Sequence, residues 1–338
     1  MRRSGPVGRP ERGSRVPWTA AFLTVGGGVL GLLLLAAAAP EPAPLAVGVA
    51  AEDRTGVAAF SRSAGVRPAI EVWYAAWAGE PGFDPARADA AAADGALPML
   101  TWEPWDPAAG AVQPDYTPGR IAAGAHDAYI ASFARQVRDW GGTLALRLMH
   151  EADAPHYPWS VGVGGTTAAD LVAAWRHVHD VFRDQGADVV WVWCVNVHSV
   201  GTAAYGPLYP GDDVVDWLAV DGYNGGDALP WGGWRSPAEV FADSLADLRA
   251  LSGHPIVITE TASAEEGGDK ADWIRRLFAL AEQERVRGLI WFEADKEADW
   301  RISSSPESAA AFREQAAVSA EPPLPARFSG EGAGWRPR

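Results

Sequence analysis

Two glutamates stand where an apolar run stops. Glu151 closes Leu144-Ala-Leu-Arg-Leu-Met-His-Glu151, and Glu260 closes His254-Pro-Ile-Val-Ile-Thr-Glu260. Burial of a carboxyl at such a place raises its pKa by desolvation, which suits a proton donor working near neutral pH. A glutamate ending so β-branched a run costs stability unless it has partners, and this favours function at Glu260. The plainer alternatives are a rim ion pair between Glu151 and Arg147 and a helix-capping carboxylate at Glu260. Facing one another at about 5–5.5 Å, the two would suit double displacement at a glycosidic bond, one attacking the anomeric carbon and the other protonating the leaving oxygen. An ionised Glu260 raises the pKa of Glu151, and its conversion to an ester removes that charge, so that Glu151 can turn base.

Other chemistry-bearing residues also cluster where apolar runs end: Trp102-Glu103 with Trp105, His150, Asn196, Asp221-Gly222-Tyr223-Asn224 and Trp291-Phe292-Glu293. His156, Tyr157 and Trp159 follow Glu151 closely. Barrel-rim packing is the plain alternative for the aromatics. His150 and His156 lack a metal-site spacing, and no metal or cofactor is expected.

Eight short apolar runs position these residues, over 45–50, 69–74, 97–102, 143–150, 189–195, 217–223, 255–260 and 288–292. Helical patterns lie between them, clearest over 123–140, 168–185, 237–251 and 270–285, with Thr166 and Thr167 before the second and Ser236 with Glu239 around the third as N-terminal caps. Strand and helix alternating eight times in a chain of 338 residues predicts a single (β/α)8 TIM barrel over 40–320 rather than an open sheet. No Gly-rich phosphate loop follows the first run. Active sites of such barrels lie at the C-terminal strand ends, where the residues above fall.

The net charge of -15 argues against a nucleic-acid partner and for an uncharged substrate. Seventeen tryptophans exceed what core packing comfortably explains and suggest stacking on sugar rings. The single Cys194 lies in an apolar run and reads as a small buried hydrophobe. An arginine-rich leader over 1–17 precedes an uncharged run over 18–39, the pattern of a signal peptide or membrane anchor; export is expected, with membrane contact only there. Residues 321–338 are Pro/Gly-rich and read as a disordered tail. A monomer is expected.

In these blocks the chain resembles glycoside hydrolase family 26, among the barrels whose catalytic glutamates end the fourth and seventh strands. The resemblance runs from Leu45 to about Ala317. Its blocks include Thr101-Trp-Glu-Pro-Trp105, Arg147-Leu-Met-His-Glu151 with Tyr157-Pro-Trp159, Trp175-Arg-His-Val178, Tyr209-Pro-Gly-Asp-Asp213, Asp221-Gly-Tyr-Asn224 and Ile258-Thr-Glu260. It implies a retaining hydrolase of a neutral β-linked polysaccharide, with β-1,4-mannan first and mixed-linkage β-glucan or β-1,3-xylan next. Glu151 would be the acid/base, Glu260 the nucleophile, His150 a positioning neighbour and Tyr223 a hydrogen-bond partner of Glu260. Trp291 would be the platform under the sugar at the cleavage point. Trp102, Glu103, Trp105, His156, Tyr157, Trp159, Arg147, Asn196 and Asp221 would contact substrate. Two departures, Glu151-Ala152-Asp153-Ala154 and His156 in place of an aromatic, are expected to alter sugar contacts. They also raise the alternative of a surface polysaccharide-binding protein without turnover; trimming of the cell's own exopolysaccharide is the other biological reading.

Overall fold

The computed structural model describes residues 45–199 and 201–319. The leader at 1–17, the apolar run at 18–39 and the tail at 321–338 lie outside them. Among the described residues no helix is long and apolar enough to cross a membrane.

All eight expected strands form. They are β1 Ala46–Ala50, β2 Ile70–Ala76, β3 Leu97–Glu103, β4 Ala145–Leu148, β5 Val190–Asn196, β6 Trp217–Asn224, β7 Ile256–Ser263 and β8 Gly288–Phe292. Each pairs in parallel with the next, and β8 returns to β1 to close the barrel. Around it run α1 Arg54–Ala64, α2 Pro85–Ala93, α3 Pro118–Ala122, α4 Asp127–Trp140, α5 Ala168–Asp184, α6 Pro237–Leu251, α7 Lys270–Gln283 and α8 Pro306–Ser319. The expected caps are in place: Thr167 and Asp170 make a capping box at α5, and Ser236 and Glu239 make one at α6. Among the described residues the β5–β6 crossover carries only a short 3₁₀ turn, Gly206–Leu208, where the alternation predicts a helix.

Strand side chains alternate between two cores. The inner one fills the barrel with Ala46, Ala50, Ile70, Val72, Met99, Ala145, Val190, Val192, Trp217, Val257 and Ile290. The outer one joins the opposite strand faces to the helices. Small residues on β1 make room inside: a Cβ on Gly48 would lie 2.8 Å from the Ile290 side chain and 2.9 Å from the Ile70 carbonyl.

The same alternation corrects the tryptophan reading. Most described tryptophans are buried. Trp102 is fully buried on the helix side, stacked on Phe133 at 4.5 Å, 4.6 Å from Trp77, and donating its indole N–H to the Tyr129 hydroxyl at 3.2 Å. Trp291 faces the same layer, against Trp273 and Phe312, and its N–H donates to the Trp300 carbonyl at 2.9 Å. Neither can touch a sugar, so the surplus of indoles reports the wide interface between barrel and helices. Trp102→Ala is therefore expected to lower the unfolding free energy by about 3–5 kcal/mol, the cost of truncating a buried aromatic. A loss below about 1 kcal/mol in denaturant unfolding would contradict this placement.

Candidate active site

At the C-terminal mouth the inner core becomes polar. Inward positions of successive strands place Thr101, Arg147, Cys194, Asp221 and Thr259 together above the apolar layers, all of them buried. The Arg147 guanidinium is the centre. Its Nε donates to Thr101 Oγ1 at 2.9 Å, its Nη1 to Asp221 Oδ2 at 2.5 Å, and its Nη2 to Glu260 Oε1. Asp221 also accepts from the Thr259 hydroxyl at 2.6 Å and the Cys194 thiol at 3.1 Å. Cys194 is thus buried as expected but hydrogen-bonded; burial and the Asp221 charge hold its proton on.

Two backbone irregularities aim the glutamates. The β6–β7 register shifts at Val220/Asp221 and the β7–β8 register between Ile258 and Thr261, which marks a bulge in β7. Val257 and Thr259 already use the inward positions, and the bulge turns Glu260 inward as well. At the end of β4, Met149 and Glu151 adopt positive φ, 47° and 51°. Such backbone is strained in a non-glycine residue and recurs at functional sites. The chain is held there by the Glu151 N–H donating to the Cys194 carbonyl at 3.0 Å.

Glu260 is surrounded by donors. Beside Arg147, Oε1 accepts from the Tyr74 hydroxyl at 2.8 Å, and Oε2 accepts from the Tyr223 hydroxyl at 2.6 Å. Burial alone would raise the Glu260 carboxyl, but the Arg147 charge and the Tyr223 hydrogen bond overcome it and hold the pKa down at about 2. Glu151 behaves oppositely. Burial, then the charges of Asp221 and Glu260, push it well above the ordinary carboxylate range. Asp221 is raised by burial and held by Arg147 at about 6. One buried cation thus keeps the nearer carboxylate ionised while the more distant one keeps its proton.

The β3 and β4 ends build one wall. Burial lowers His150 to about 3, so the ring is neutral; its Nε2 lies 3.0 Å from the Tyr157 hydroxyl. Its Nδ1 makes no hydrogen bond and faces Glu103 Oε1 at 3.9 Å. Glu103, raised by burial to about 7, accepts from the Trp105 indole at 3.0 Å. The half-buried Trp105 meets Tyr157 edge-on at 5.2 Å, while exposed His156 meets Tyr157 edge-on at 6.4 Å.

Other expected contacts fall elsewhere. Trp159 is fully buried, stacked under Tyr157 at 4.4 Å and donating to the His150 carbonyl at 2.7 Å, so it supports the wall from behind. Arg147 and Asp221 lie fully buried below the mouth, paired with each other, and Arg147 also binds the Glu260 carboxylate. The rim ion pair between Arg147 and Glu151 is replaced by this buried cluster. Asp153 is also buried and accepts from the Asn196 N–H at 2.8 Å, which ties the β4 loop to β5; its difference from the family pattern acts on the scaffold. Asn196 itself stands half-buried at the mouth. In place of Trp291, its neighbour Phe292 turns inward and meets Tyr223 edge-on at 5.8 Å, with Trp300 5.2 Å from the same ring. Sequence reasoning also missed Tyr74, although its spacing from Ile70 and Val72 marks it as inward-facing. Among the described residues no group of three or more His, Cys, Asp or Glu side chains is placed to hold a metal ion.

Comparison with known proteins fits this geometry. A family model for glycosyl hydrolase family 26 matches residues 119–253, a span that holds Glu151, Asp221 and Tyr223. Endoglucanase H of Acetivibrio thermocellus is 41% identical over 234 residues, 67% of this chain and 25% of that protein. A β-1,3-xylanase, TXYA, from a Vibrio species is 26% identical over 200 residues, 54% of this chain and 42% of that one. This chain thus spans about a quarter of the first relative and about two fifths of the second. Among solved structures, a β-mannanase of the same family from Bacteroides ovatus aligns with TM-score 0.62 at 17% identity, covering 82% of this chain and 90% of that one. The catalytic domain of an endo-β-1,4-mannanase from Bacillus sp. JAMB-750 aligns with TM-score 0.63 at 16% identity, covering 82% and 86%. At these identities the two structures show the shared fold.

The carboxyl environments set a pH dependence of stability. Glu260 has a depressed folded pKa, so its contribution is present above its ordinary 4.5 and is lost as pH falls through about 2. Glu103 has a raised one, so its contribution is full below 4.5 and is lost as pH rises through about 7. Denaturant midpoints of the chain should therefore fall between pH 4.5 and 7, and Glu103→Gln should flatten that decline. An unchanged slope in the variant would show that Glu103 ionises freely.

Proposed function

Because this chain belongs to glycosyl hydrolase family 26, we propose that it is a retaining endo-β-glycanase with Glu260 as nucleophile and Glu151 as acid/base. Two buried carboxyls at one barrel mouth, Glu260 bound by Arg147 and two tyrosines and Glu151 without such a cation partner among the described residues, carry this reading. In the first step a Glu260 oxygen bonds to the anomeric carbon, the glycosidic C–O bond breaks, and the Glu151 proton passes to the leaving oxygen. Oε1 is engaged by Arg147 and Tyr74, so Oε2, held by Tyr223 alone, is the freer attacking atom. Esterification removes the negative charge that helped keep Glu151 protonated. Water then attacks the anomeric carbon, gives its proton to Glu151, and the ester to Glu260 breaks.

Glu103, at the end of β3, faces the buried His150 Nδ1 at 3.9 Å. Trp105, Tyr157 and His156 line that side of the cleft, with Phe292 opposite. The sequence blocks put mannan first as substrate. The 41% identity to a protein named endoglucanase now favours a β-linked glucan, with β-1,4-mannan the second reading from the family resemblance. Export is part of the proposal, supported by the arginines ahead of the apolar run at 18–39 and by a substrate that is a polymer.

Glu151→Ala and Glu260→Ala should each lower turnover of the best substrate by at least ~10²–10⁴-fold while circular dichroism stays unchanged. With an activated aryl β-glycoside, azide should rescue Glu151→Ala and yield a β-glycosyl azide; with Glu260→Ala it should yield the α-anomer. Near-wild-type turnover in either variant, or the opposite product anomers, would overturn the assignment. A reducing-sugar screen of β-glucans, mannan and xylans identifies the polymer.

A further inference from the structure

The loop between β6 and α6 carries a tryptophan that the site described so far does not use. Trp231 is 62% exposed, and among the described residues it is the only aromatic side chain among the strongly exposed large hydrophobics. Exposure of one apolar side chain is ordinary; its backing is not. The outer edge of the indole's six-membered ring lies beside Gly225, the residue after the end of β6, where a Cβ would come within 3.0 Å of Cζ3 and 3.1 Å of Cη2. The loop closes as a small hairpin: Gly226 and Gly233 form an antiparallel bridge, with the Gly233 N–H donating to the Gly226 carbonyl at 2.7 Å. Its base is fastened to the β7–α7 loop, since the Asp227 N–H donates to the Glu266 carbonyl at 3.0 Å. Gly226, at φ 50°, approaches that carbonyl so closely that a Cβ would lie 1.9 Å from it. A fixed hairpin thus sets the edge of the indole against backbone and leaves most of the side chain to solvent.

The position matters as much as the posture. Gly225 follows Tyr223, the tyrosine that bonds Glu260, by two residues, so at strand spacing their Cα atoms lie ~7 Å apart. The hairpin lies on the β6–β7 flank of the mouth, whereas Trp105, Tyr157 and His156 line the β3–β4 flank. We propose that Trp231 is a substrate platform: it stacks on the apolar face of a hexose in the same polysaccharide chain, beyond the sugar attached to Glu260. This rests on the glycanase reading above and extends it. A chain held on both flanks of the carboxylates is cut at an internal bond. A prefixed aromatic face also binds without the entropy cost of ordering a loop.

The test uses Glu151→Gln protein, so that ligand is not consumed, and calorimetric titration with tri- to hexasaccharides of mixed-linkage β-glucan and β-1,4-mannan. Adding Trp231→Ala should weaken hexasaccharide binding about tenfold, equivalent to ~1.4 kcal/mol, and trisaccharide binding less. Trp231→Phe should recover part of the loss, and melting temperatures should stay level, since most of the side chain is exposed. Equal hexasaccharide affinity with and without the indole, or no binding of any oligosaccharide by the Glu151→Gln protein, would overturn the platform. Turnover by the wild-type protein separates the two proposals. Hydrolysis that is indifferent to Trp231 leaves the glycanase standing without the platform. Trp231-dependent binding with no product on any polymer leaves the platform and removes the enzyme.

Discussion

A guanidinium buried at the centre of a barrel, with its charge shared between Asp221 and Glu260, is the constraint from which the rest of the site follows. Desolvating Arg147 costs several kcal/mol, and attraction to carboxylates offsets this only when the remaining N–H groups also find acceptors. Thr101 supplies one acceptor, and Thr259 and Cys194 complete the shell around Asp221. As a device for stability, such a cluster is weak compared with an apolar core. Its value lies in deciding which carboxyl is charged. The guanidinium reaches Asp221 and Glu260, while Glu151 is left with burial and with the charges of those two neighbours. Three acids of similar intrinsic strength therefore separate in proton affinity, by geometry alone.

Regular strands could not deliver that geometry. Alternation on β7 would send Thr259 and Glu260 to opposite faces, yet both are needed inside, one to hold Asp221 and the other to meet Arg147 and two tyrosines. The bulge resolves the conflict. On β4 the left-handed backbone at Met149 and Glu151 does comparable work, turning the chain sharply enough to bring successive side chains to different parts of the mouth. These departures from ideal geometry fall on the two strands that carry the glutamates. The tightly packed regular barrel below them provides the rigidity that makes such backbone tolerable.

The same physics explains what the sequence revealed and what it concealed. Strand positions were legible because each inward-facing run is nearly continuous in apolar residues, and the terminal glutamates stood out against those runs. Facing was harder. Trp102 and Glu103 are adjacent on one regular strand, so they cannot both look into the cleft; Glu103 does, and the indole belongs to the helices. Trp291 and Phe292 repeat the lesson, with Phe292 inside. Counting by twos from Ile70 would also have found Tyr74. The bulge in β7 breaks such counting and has no composition signal, and Cys194 read as apolar because its neighbours along the chain are apolar while its partners come from other strands.

The arrangement also separates two tasks in space. The cluster around Arg147 contacts Glu260 and lies beneath it, fully buried, so it governs the charge and orientation of that carboxylate from below the mouth. Glu103, His150 and Asn196 stand at the strand ends above it and hang from different strands. A change in a rim loop can therefore reshape the mouth while leaving the proton affinities below intact. A change in the cluster has no such freedom, because each of its members satisfies a buried partner and its removal leaves a charge or a hydrogen-bonding atom stranded. The rim can accordingly vary over a charge arrangement fixed by packing in the core.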